Sequence, residues 1–256
     1  MIKEIHFETK KQTAILTLEN PPINALDEAL LEEFDKALTK IESDAAISAV
    51  VVTGAGEHAF SAGFDQEFWQ RLVQDPMARE TIHGHHELLN RLSDLPKPTI
   101  ALINGIAYGA GCELAMACDI RIAETHAVFS FPEIKYDLIP GWGGTQRLSR
   151  LVGTARAKEW LFTGDPILSE QAEHCGLVNA VVPSGKGLDH AMRLADHITR
   201  RQPKTLFAVK QAVDEGIQLP LIGGLRREAA LLLELIYANN GTTSMEVIGN
   251  GQERES

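Results

Sequence analysis

Two glutamates stand where a carboxylate could do acid–base chemistry. Glu113 follows a glycine-rich stretch and lies among the apolar residues 114–117, where an ionised carboxylate is costly unless it is paired or used. Glu133 follows Pro132 in a short aromatic segment. Two carboxyls that flank a reacting bond can act as general acid and general base. Each glutamate also has a simpler interpretation, as an acidic residue at the start of a helix, where the helix dipole favours it. Sequence position does not show that the two face each other.

Two glycine-rich turns have a pattern that can hold an oxyanion. In each, a buried strand leads into glycines and then towards a helix start, with the turns at residues 62–64 and 109–111. Helix N-termini carry unpaired N–H donors and partial positive charge. If the turns meet, their main-chain N–H groups could jointly bind one oxygen, and losing one such donor costs ~3–4 kcal/mol in studied enzymes. The alternative is that both are merely tight turns.

The elements that would position these residues alternate between strands and helices. Hydrophobic periodicity predicts strands at residues 2–8, 13–18, 49–53, 99–103, 120–123, 128–131 and 178–182. It predicts helices at residues 27–43, 77–95, 112–118, 151–161, 169–174 and 188–201. From residue 203 onward every apolar residue recurs at helical spacing, and residues 239–256 form a polar tail that we expect to be loose. The alternation predicts an α/β fold, with a core over residues 1–200 and a helical part over residues 201–256.

Composition narrows the class of protein. The 256 residues are 44% hydrophobic, with a formal net charge of −11 and three cysteines. No apolar run approaches the ~20 residues that span a bilayer, and the start of the chain has no signal-peptide pattern. The odd cysteine count without a CxxC pair favours a reducing compartment. We therefore expect a cytoplasmic protein that binds neither membrane nor nucleic acid, because no basic stripe appears.

Two further motifs are weaker. Residues 54–59 fit G-x-G-x-x-A after a strand, the dinucleotide fingerprint, but residues 60–64 do not look like the helix that must follow. His83, His85 and His86 cluster on a polar helix without an acidic or sulfur partner at metal spacing. A nicotinamide cofactor is therefore disfavoured, and no metal site is predicted.

Three stretches together resemble the motifs of the enoyl-CoA hydratase/isomerase (crotonase) superfamily. They are residues 59–65 (AFSAGFD), residues 104–119 (NGIAYGAGCELAMACD), and residues 131–134 (FPEI) with 139–148 (IPGWGGTQRL). The resemblance covers roughly residues 5–201. It implies a crotonase-like ββα spiral core with a C-terminal helical subdomain, which would serve trimerisation and cover the active site. It also implies a homotrimer or a dimer of trimers.

The resemblance implies a reaction and a set of site residues. The reaction is syn addition of water across a trans-2-enoyl-CoA thioester, as in fatty acid metabolism, with coenzyme A as part of the substrate and no prosthetic group. The implied catalytic residues are Glu113 and Glu133, the oxyanion donors Phe64 and Ala110, and Gly141 behind the acyl chain. Implied coenzyme A contacts are Ala25, Ala62, Phe64, Asp65 and Gln66.

Several alternatives stay open within this family. A Δ3-Δ2-enoyl-CoA isomerase can run with Glu133 alone, and RNA-binding or non-catalytic members also exist. Ala110 stands where many hydratases have glycine, and Gln66 and Glu67 stand where a lysine often helps to hold coenzyme A. The acidic C-terminus differs from the basic ends of many relatives. These departures leave open whether the thioester is carried on coenzyme A or on a carrier protein.

Trp142 is predicted to shape the acyl pocket. It lies between Gly141 and Gly143, where the main chain should approach a ligand. Together with Phe64, it is expected to favour short or flat enoyl groups over long straight chains.

Overall fold

The computed structural model describes residues 4–64 and 66–238. The predicted tail at 239–256 and Asp65 lie outside these residues. The chain divides into two compact units, residues 1–200 and residues 201–256. Across the described part of the chain, no helix combines the length and the apolar character needed to cross a membrane.

Strands and helices alternate through the first unit. The strands are β1 (Glu4–Lys10), β2 (Thr13–Glu19), β3 (Ala49–Gly54), β4 (Ala59–Ser61), β5 (Thr99–Ile103), β6 (Ile106–Tyr108), β7 (Ile120–Glu124), β8 (Val128–Ser130), β9 (Ile167–Leu168) and β10 (Ala180–Val182). Its helices are α1 (Glu28–Ser43), α2 (Gln66–Gln74), α3 (Ala78–Ser93), α4 (Ala110–Met116), α5 (Gly144–Val152), α6 (Thr154–Thr163), α7 (Ser169–His174) and α8 (Gly187–Ile198), with a 3-10 helix at Pro132–Tyr136. The predicted α/β class is confirmed.

The larger sheet has the strand order β1-β2-β3-β5-β7-β10. The β1–β2 hairpin is antiparallel, and the other neighbours are parallel. β3 and β5 are buried along their whole length, as expected for central strands covered on both faces. Helix α1 begins at its N-cap Asp27, whose carboxylate accepts a hydrogen bond from the Leu30 N–H (2.9 Å).

A smaller sheet, in the order β4-β6-β8-β9, carries both glycine-rich turns. β4 and β6 are parallel neighbours, so they end at the same edge of the sheet. The sequence indicated only turns at these places, because each strand has three residues and glycines surround it. This pairing brings the two turns together.

One helix prediction needs correction, and one helix was not predicted. The predicted helix at residues 151–161 is two helices, α5 and α6, which are separated at Gly153. Gly153 has φ of 79°, which a right-handed helix cannot contain. Helix α2 was not predicted, because its short pattern follows directly on a glycine-rich turn.

The second unit is described through residue 238 and consists of α9 (Pro203–Gly216) and α10 (Leu221–Ala238). Their backbones approach closely where a Cβ on Gly224 would lie 3.2 Å from the Gly216 carbonyl oxygen. Arg227 Nη2 also lies 3.1 Å from Glu215 Oε1. The two helices thus form a closely packed pair.

Candidate active site

The two glycine-rich turns touch each other. A Cβ on Gly63 would lie 2.6 Å from the Tyr108 carbonyl oxygen and 3.3 Å from the Ala110 nitrogen. A Cβ on Gly111 would lie 2.2 Å from the Ser61 carbonyl oxygen. Only glycine permits this approach, and Gly63 also has φ of 85°. Ala110 is the first residue of α4, where main-chain N–H groups have no partner within the helix.

Asn104 ties the ends of the two strand–turn units together. Its Oδ1 accepts from the Gly54 N–H and the Thr53 hydroxyl, both at 3.1 Å. Its Nδ2 donates to the carbonyl oxygens of Gly54 and Gly56, both at 2.8 Å. The sequence motifs do not reveal this positioning role, although a polar residue directly after the buried strand β5 is an available signal.

The loop before α1 lies beside the first glycine-rich turn. The Leu26 N–H donates to the Gly63 carbonyl (2.7 Å), and the Ala62 N–H donates to the Ile23 carbonyl (3.0 Å). Ala25 lies within the paired part of this loop. Three residues implied as coenzyme A contacts, Ala25, Ala62 and Phe64, are therefore on adjoining segments.

The other two implied contacts are only partly accounted for. Asp65 lies outside the described residues. Gln66 is the first residue of α2, and its side chain also lies outside the described part of the structure.

Glu113 is held in a buried, donor-rich place. It is 1% exposed, and its Oε1 accepts hydrogen bonds from the main-chain N–H groups of Trp142 and Gly144, both at 2.7 Å. Burial raises the pKa of Glu113 to about 7, with a further upward contribution from Glu133, while the two N–H groups and Arg147 oppose the rise. The carboxyl can therefore change its protonation state near neutral pH.

The loop that donates to Glu113 is itself held in place. Arg147 Nη1 donates to the Trp142 carbonyl (2.9 Å) and Nη2 to Asn90 Oδ1 (3.0 Å). The His86 Nε2 atom contacts the Gly141 carbonyl oxygen. Gly141 is exposed at the surface of this loop. Arg147 was not selected from the sequence, although it stands in the same motif as Trp142.

Glu133 is half-buried and has fewer hydrogen-bond donors. It lies in the 3-10 helix, and a Cβ on Gly109 would be 2.5 Å from its Oε1. Its Oε2 is buried and has no hydrogen-bond partner among the described residues. Burial raises the pKa of Glu133. The structure therefore places Glu133 against Gly109, the residue before Ala110. Ala110 begins helix α4, which also carries Glu113.

Aromatic rings pack beside this centre. The Phe64 ring meets Trp142 edge to face (centroids 4.4 Å apart) and stacks on Phe68 (5.0 Å). His85 packs on Trp142, with centroids 4.5 Å apart. The Phe64 and Trp142 side chains are thus in contact, as a shared pocket wall requires.

The two weaker motifs differ in structure from the sites with which they were compared. Residues 54–59 lead into strand β4 instead of a helix, so the dinucleotide geometry does not form. Within the described ranges, the histidines of α3 do not belong to a group of converging metal ligands.

Comparisons with known proteins agree on one family. A sequence model described as enoyl-CoA hydratase/isomerase matches residues 8–247. The chain is 38% identical to the short-chain-enoyl-CoA hydratase of Clostridium acetobutylicum over 235 residues, 89% of this chain and 87% of that protein. It is 37% identical to the 2,3-dehydroadipyl-CoA hydratase of Escherichia coli over 231 residues, 90% of this chain and 89% of that protein.

Solved structures give the same result. A crystal structure of enoyl-CoA hydratase from Bacillus anthracis matches with a TM-score of 0.87 and 37% identity, covering 92% of each chain. One from Polaromonas sp. JS666 matches with a TM-score of 0.89 and 32% identity, covering 96% of each chain. The predicted crotonase-like fold is confirmed.

Proposed function

Because the chain belongs to the enoyl-CoA hydratase/isomerase family and is a hydro-lyase of the enoyl-CoA hydratase type, we propose that Glu113 and Glu133 together carry its reaction. The substrate is an acyl-CoA thioester with a trans-2 double bond. Water adds to the β-carbon and a proton to the α-carbon on the same face of the substrate.

The main-chain N–H groups of Phe64 and Ala110 are proposed to bind the thioester oxygen. Negative charge builds on that oxygen when water attacks the β-carbon, so fixed donors lower the barrier more than they stabilise the ground state. Contact between the two glycine-rich turns supports this assignment, since a Cβ on Gly63 would meet the Ala110 nitrogen.

The two carboxyls are proposed to have opposite roles. Glu113 takes a proton from water while the water oxygen bonds to the β-carbon, because two N–H donors hold its Oε1 and a pKa of about 7 allows it to ionise near neutral pH. Glu133 delivers its proton to the α-carbon, because burial without a donor on Oε2 favours its neutral form. The π bond is consumed, one C–O and one C–H bond form, and the proton gained by Glu113 balances the one lost by Glu133.

The observation that carries this proposal is the pair of carboxyls, Glu113 buried and Glu133 half-buried, in unlike surroundings near the start of α4. The test is hydration of crotonyl-CoA. It is measured by the loss of the enoyl-thioester absorbance and by identification of the 3-hydroxyacyl product. The exposed Glu159→Gln variant, changed on the surface of α6, is the matched control and should behave as wild type. An enzyme that moves the double bond of a 3-enoyl-CoA but never forms the hydroxy product would support an isomerase instead.

We further propose that coenzyme A contacts Ala25, Ala62 and Phe64 and, beyond the described residues, Asp65 and the Gln66 side chain. The reaction is proposed to need no prosthetic group, because the two glutamates supply both proton transfers. The protein is proposed to act in the cytoplasm, which agrees with its cysteine usage.

The helical unit at 201–256 is proposed to form the interface of a homotrimer or a dimer of trimers and to cover the active site. Support comes from apolar side chains that are more than half exposed: Val209, Val213 and Ile217 on or just after α9, and Leu221, Ile222, Leu232 and Tyr237 on α10. Light scattering after size-exclusion chromatography tests it. Val213→Glu should shift the mass towards monomer, and a wild-type protein that is monomeric at assay concentration would contradict the assembly.

A further inference from the structure

His85 is surrounded by the aromatic rings that flank the reacting centre. Its ring lies 4.5 Å from Trp142, 5.6 Å from Phe68 and 6.0 Å from Phe64, measured between centroids. Trp142 also donates its main-chain N–H to Glu113, and Phe64 follows the glycine of the first turn. His85 therefore packs on the side chains of two residues whose main chains belong to the proposed catalytic centre.

One nitrogen of this ring is buried without a partner. The Nδ1 atom of His85 is inaccessible to solvent and has no hydrogen-bond partner among residues 4–64 and 66–238. Burial, together with the neighbouring His86, lowers the pKa of His85 to about 4. The imidazole is therefore neutral at physiological pH.

If packing were the only role of residue 85, an apolar ring would stabilise the protein more than this histidine does. A buried polar atom without a partner costs free energy that a phenyl ring of similar shape would avoid. His86, the next residue, already contacts the Gly141 carbonyl, so His85 is not needed to hold that loop. A bound substrate can supply the missing partner.

We propose that His85 is a specificity-determining residue, whose buried ring nitrogen hydrogen-bonds an uncharged oxygen on the enoyl group beyond the double bond. This inference rests on the proposed function, because it concerns the acyl part of the same substrate. A hydroxyl or ketone oxygen fits best, since the surrounding Phe64, Phe68 and Trp142 rings offer no counter-charge to a carboxylate. The preferred substrates are therefore short, oxygen-bearing enoyl thioesters.

The expected selectivity follows from this unpaired atom. A site built to hydrogen-bond an oxygen rejects the hydrocarbon analogue, because the protein's polar group then stays unpaired. Substrates that differ only in a terminal hydroxyl group should differ in kcat/KM by about tenfold or more in favour of the hydroxylated one.

The experiment compares matched pairs of trans-2-enoyl-CoA substrates of increasing length, with and without a terminal hydroxyl group. His85→Phe keeps a ring in the cluster but removes the nitrogen, and it should lower kcat/KM about tenfold more for the hydroxylated member than for the hydrocarbon. His85→Gln, which keeps a hydrogen-bonding group, should retain part of the preference. His83→Phe, on an exposed position of the same helix, should leave the ratio unchanged.

The wild-type ratio alone tests the inference if a variant fails to fold. A wild-type enzyme that prefers the hydrocarbon at every length, or an unchanged ratio in folded His85→Phe, would overturn the role of His85. Either result leaves the hydratase proposal intact as long as crotonyl-CoA is hydrated. A wild-type enzyme that hydrates no enoyl-CoA would overturn the proposed function, and this inference with it.

Discussion

Glu113 and Glu133 differ in the number of hydrogen-bond donors that the protein supplies to each carboxyl. Glu113 stands on α4, and one of its oxygens accepts hydrogen bonds from the main-chain N–H groups of Trp142, in the loop before α5, and Gly144, the first residue of α5. Glu133 stands on a 3-10 helix, and its buried Oε2 receives no hydrogen bond from a described residue. The first carboxyl is fixed by the fold, whereas the second depends on what enters the site.

The same difference affects the acid–base properties of the two carboxyls. Glu113 is buried and Glu133 is half-buried, and burial raises both pKa values. Two main-chain N–H groups of other residues oppose that rise at Glu113, whereas at Glu133 the opposing donor is its own main-chain N–H.

The largest expected effect comes from changing Glu133, the carboxyl with fewer hydrogen-bond donors. Glu133→Gln keeps the shape of the side chain but removes the proton that the α-carbon needs, so hydration should fall by ~10²–10⁴ in kcat. The double variant with Glu113→Gln should be little worse, because residues that act as a unit are not additive. Crotonyl-CoA kinetics on folded variants measure both. Multiplicative losses in the double variant would show that the two carboxyls act independently.

A glycine makes room for each carboxyl, and this provides the second test. A Cβ on Gly109 would lie 2.5 Å from Glu133 Oε1, and one on Gly144 would lie 2.8 Å from Glu113 Oε1. Gly109→Ala and Gly144→Ala should each lower kcat by about 10²-fold, since small displacements of catalytic groups cost about that much. Gly109→Ala should also unfold at lower temperature, because Gly109 has φ of 49°.

Gly84→Ala is the control for both, because a Cβ there meets nothing within 4 Å. Activity equal to wild type in Gly144→Ala would show that the position of Glu113 does not limit the reaction.

The third test uses pH. With a folded pKa of about 7 against an ordinary 4.5, Glu113 binds its proton more tightly in the folded protein. Stability from this group is full below pH ~4.5 and is lost as the pH rises to ~7, by ~3 kcal/mol in total. Glu113 must be ionised to act as a base, so kcat/KM should fall as the pH drops below ~7.

Thermal unfolding of wild type and Glu113→Gln across this range isolates the contribution of Glu113. The stability difference between the two proteins should change between pH ~4.5 and ~7 and be constant above it. A difference that is constant throughout would place the pKa of Glu113 at its ordinary value.

The smallest expected effect comes from removing the Trp142 side chain while keeping its main-chain N–H. Trp142→Ala keeps the N–H that donates to Glu113 but removes a ring that is 2% exposed. The relative kcat/KM for longer enoyl chains should therefore rise, by about 10-fold, because space opens beside Phe64. Kinetics over a chain-length series measure it, and an unchanged profile would put Trp142 outside the acyl pocket.

The sequence predicted the larger sheet well because its strands are long apolar runs. β3 and β5 were identified within a residue of their ends, and so was α1 from its N-cap Asp27. The sheet that builds the site was harder to predict. β4 and β6 have three residues each among glycines, and their pairing depends on contacts such as those of Asn104, which join residues about 50 positions apart.

The site was predicted in part for the same reason. Sequence motifs identified Glu113 and Glu133, but no local pattern reveals which loop donates to Glu113. The roles of Arg147 and His85 depend on how α3 and α5 pack against the loop that contains Trp142. Hydrophobic periodicity predicts only that these two residues lie on helices. The break at Gly153 was missed because apolar spacing continues across it.

The central claim is that the reaction needs the fixed carboxyl as well as the adaptable one, and Glu113→Gln tests it most directly. This substitution keeps the size and hydrogen-bonding capacity of the side chain while removing its basicity. Hydration of crotonyl-CoA by the folded variant should fall by ~10²–10⁴, with thermal unfolding as the check on its structure. Hydration at a near wild-type rate would contradict the account, and retained double-bond migration with Glu133 alone essential would support an isomerase.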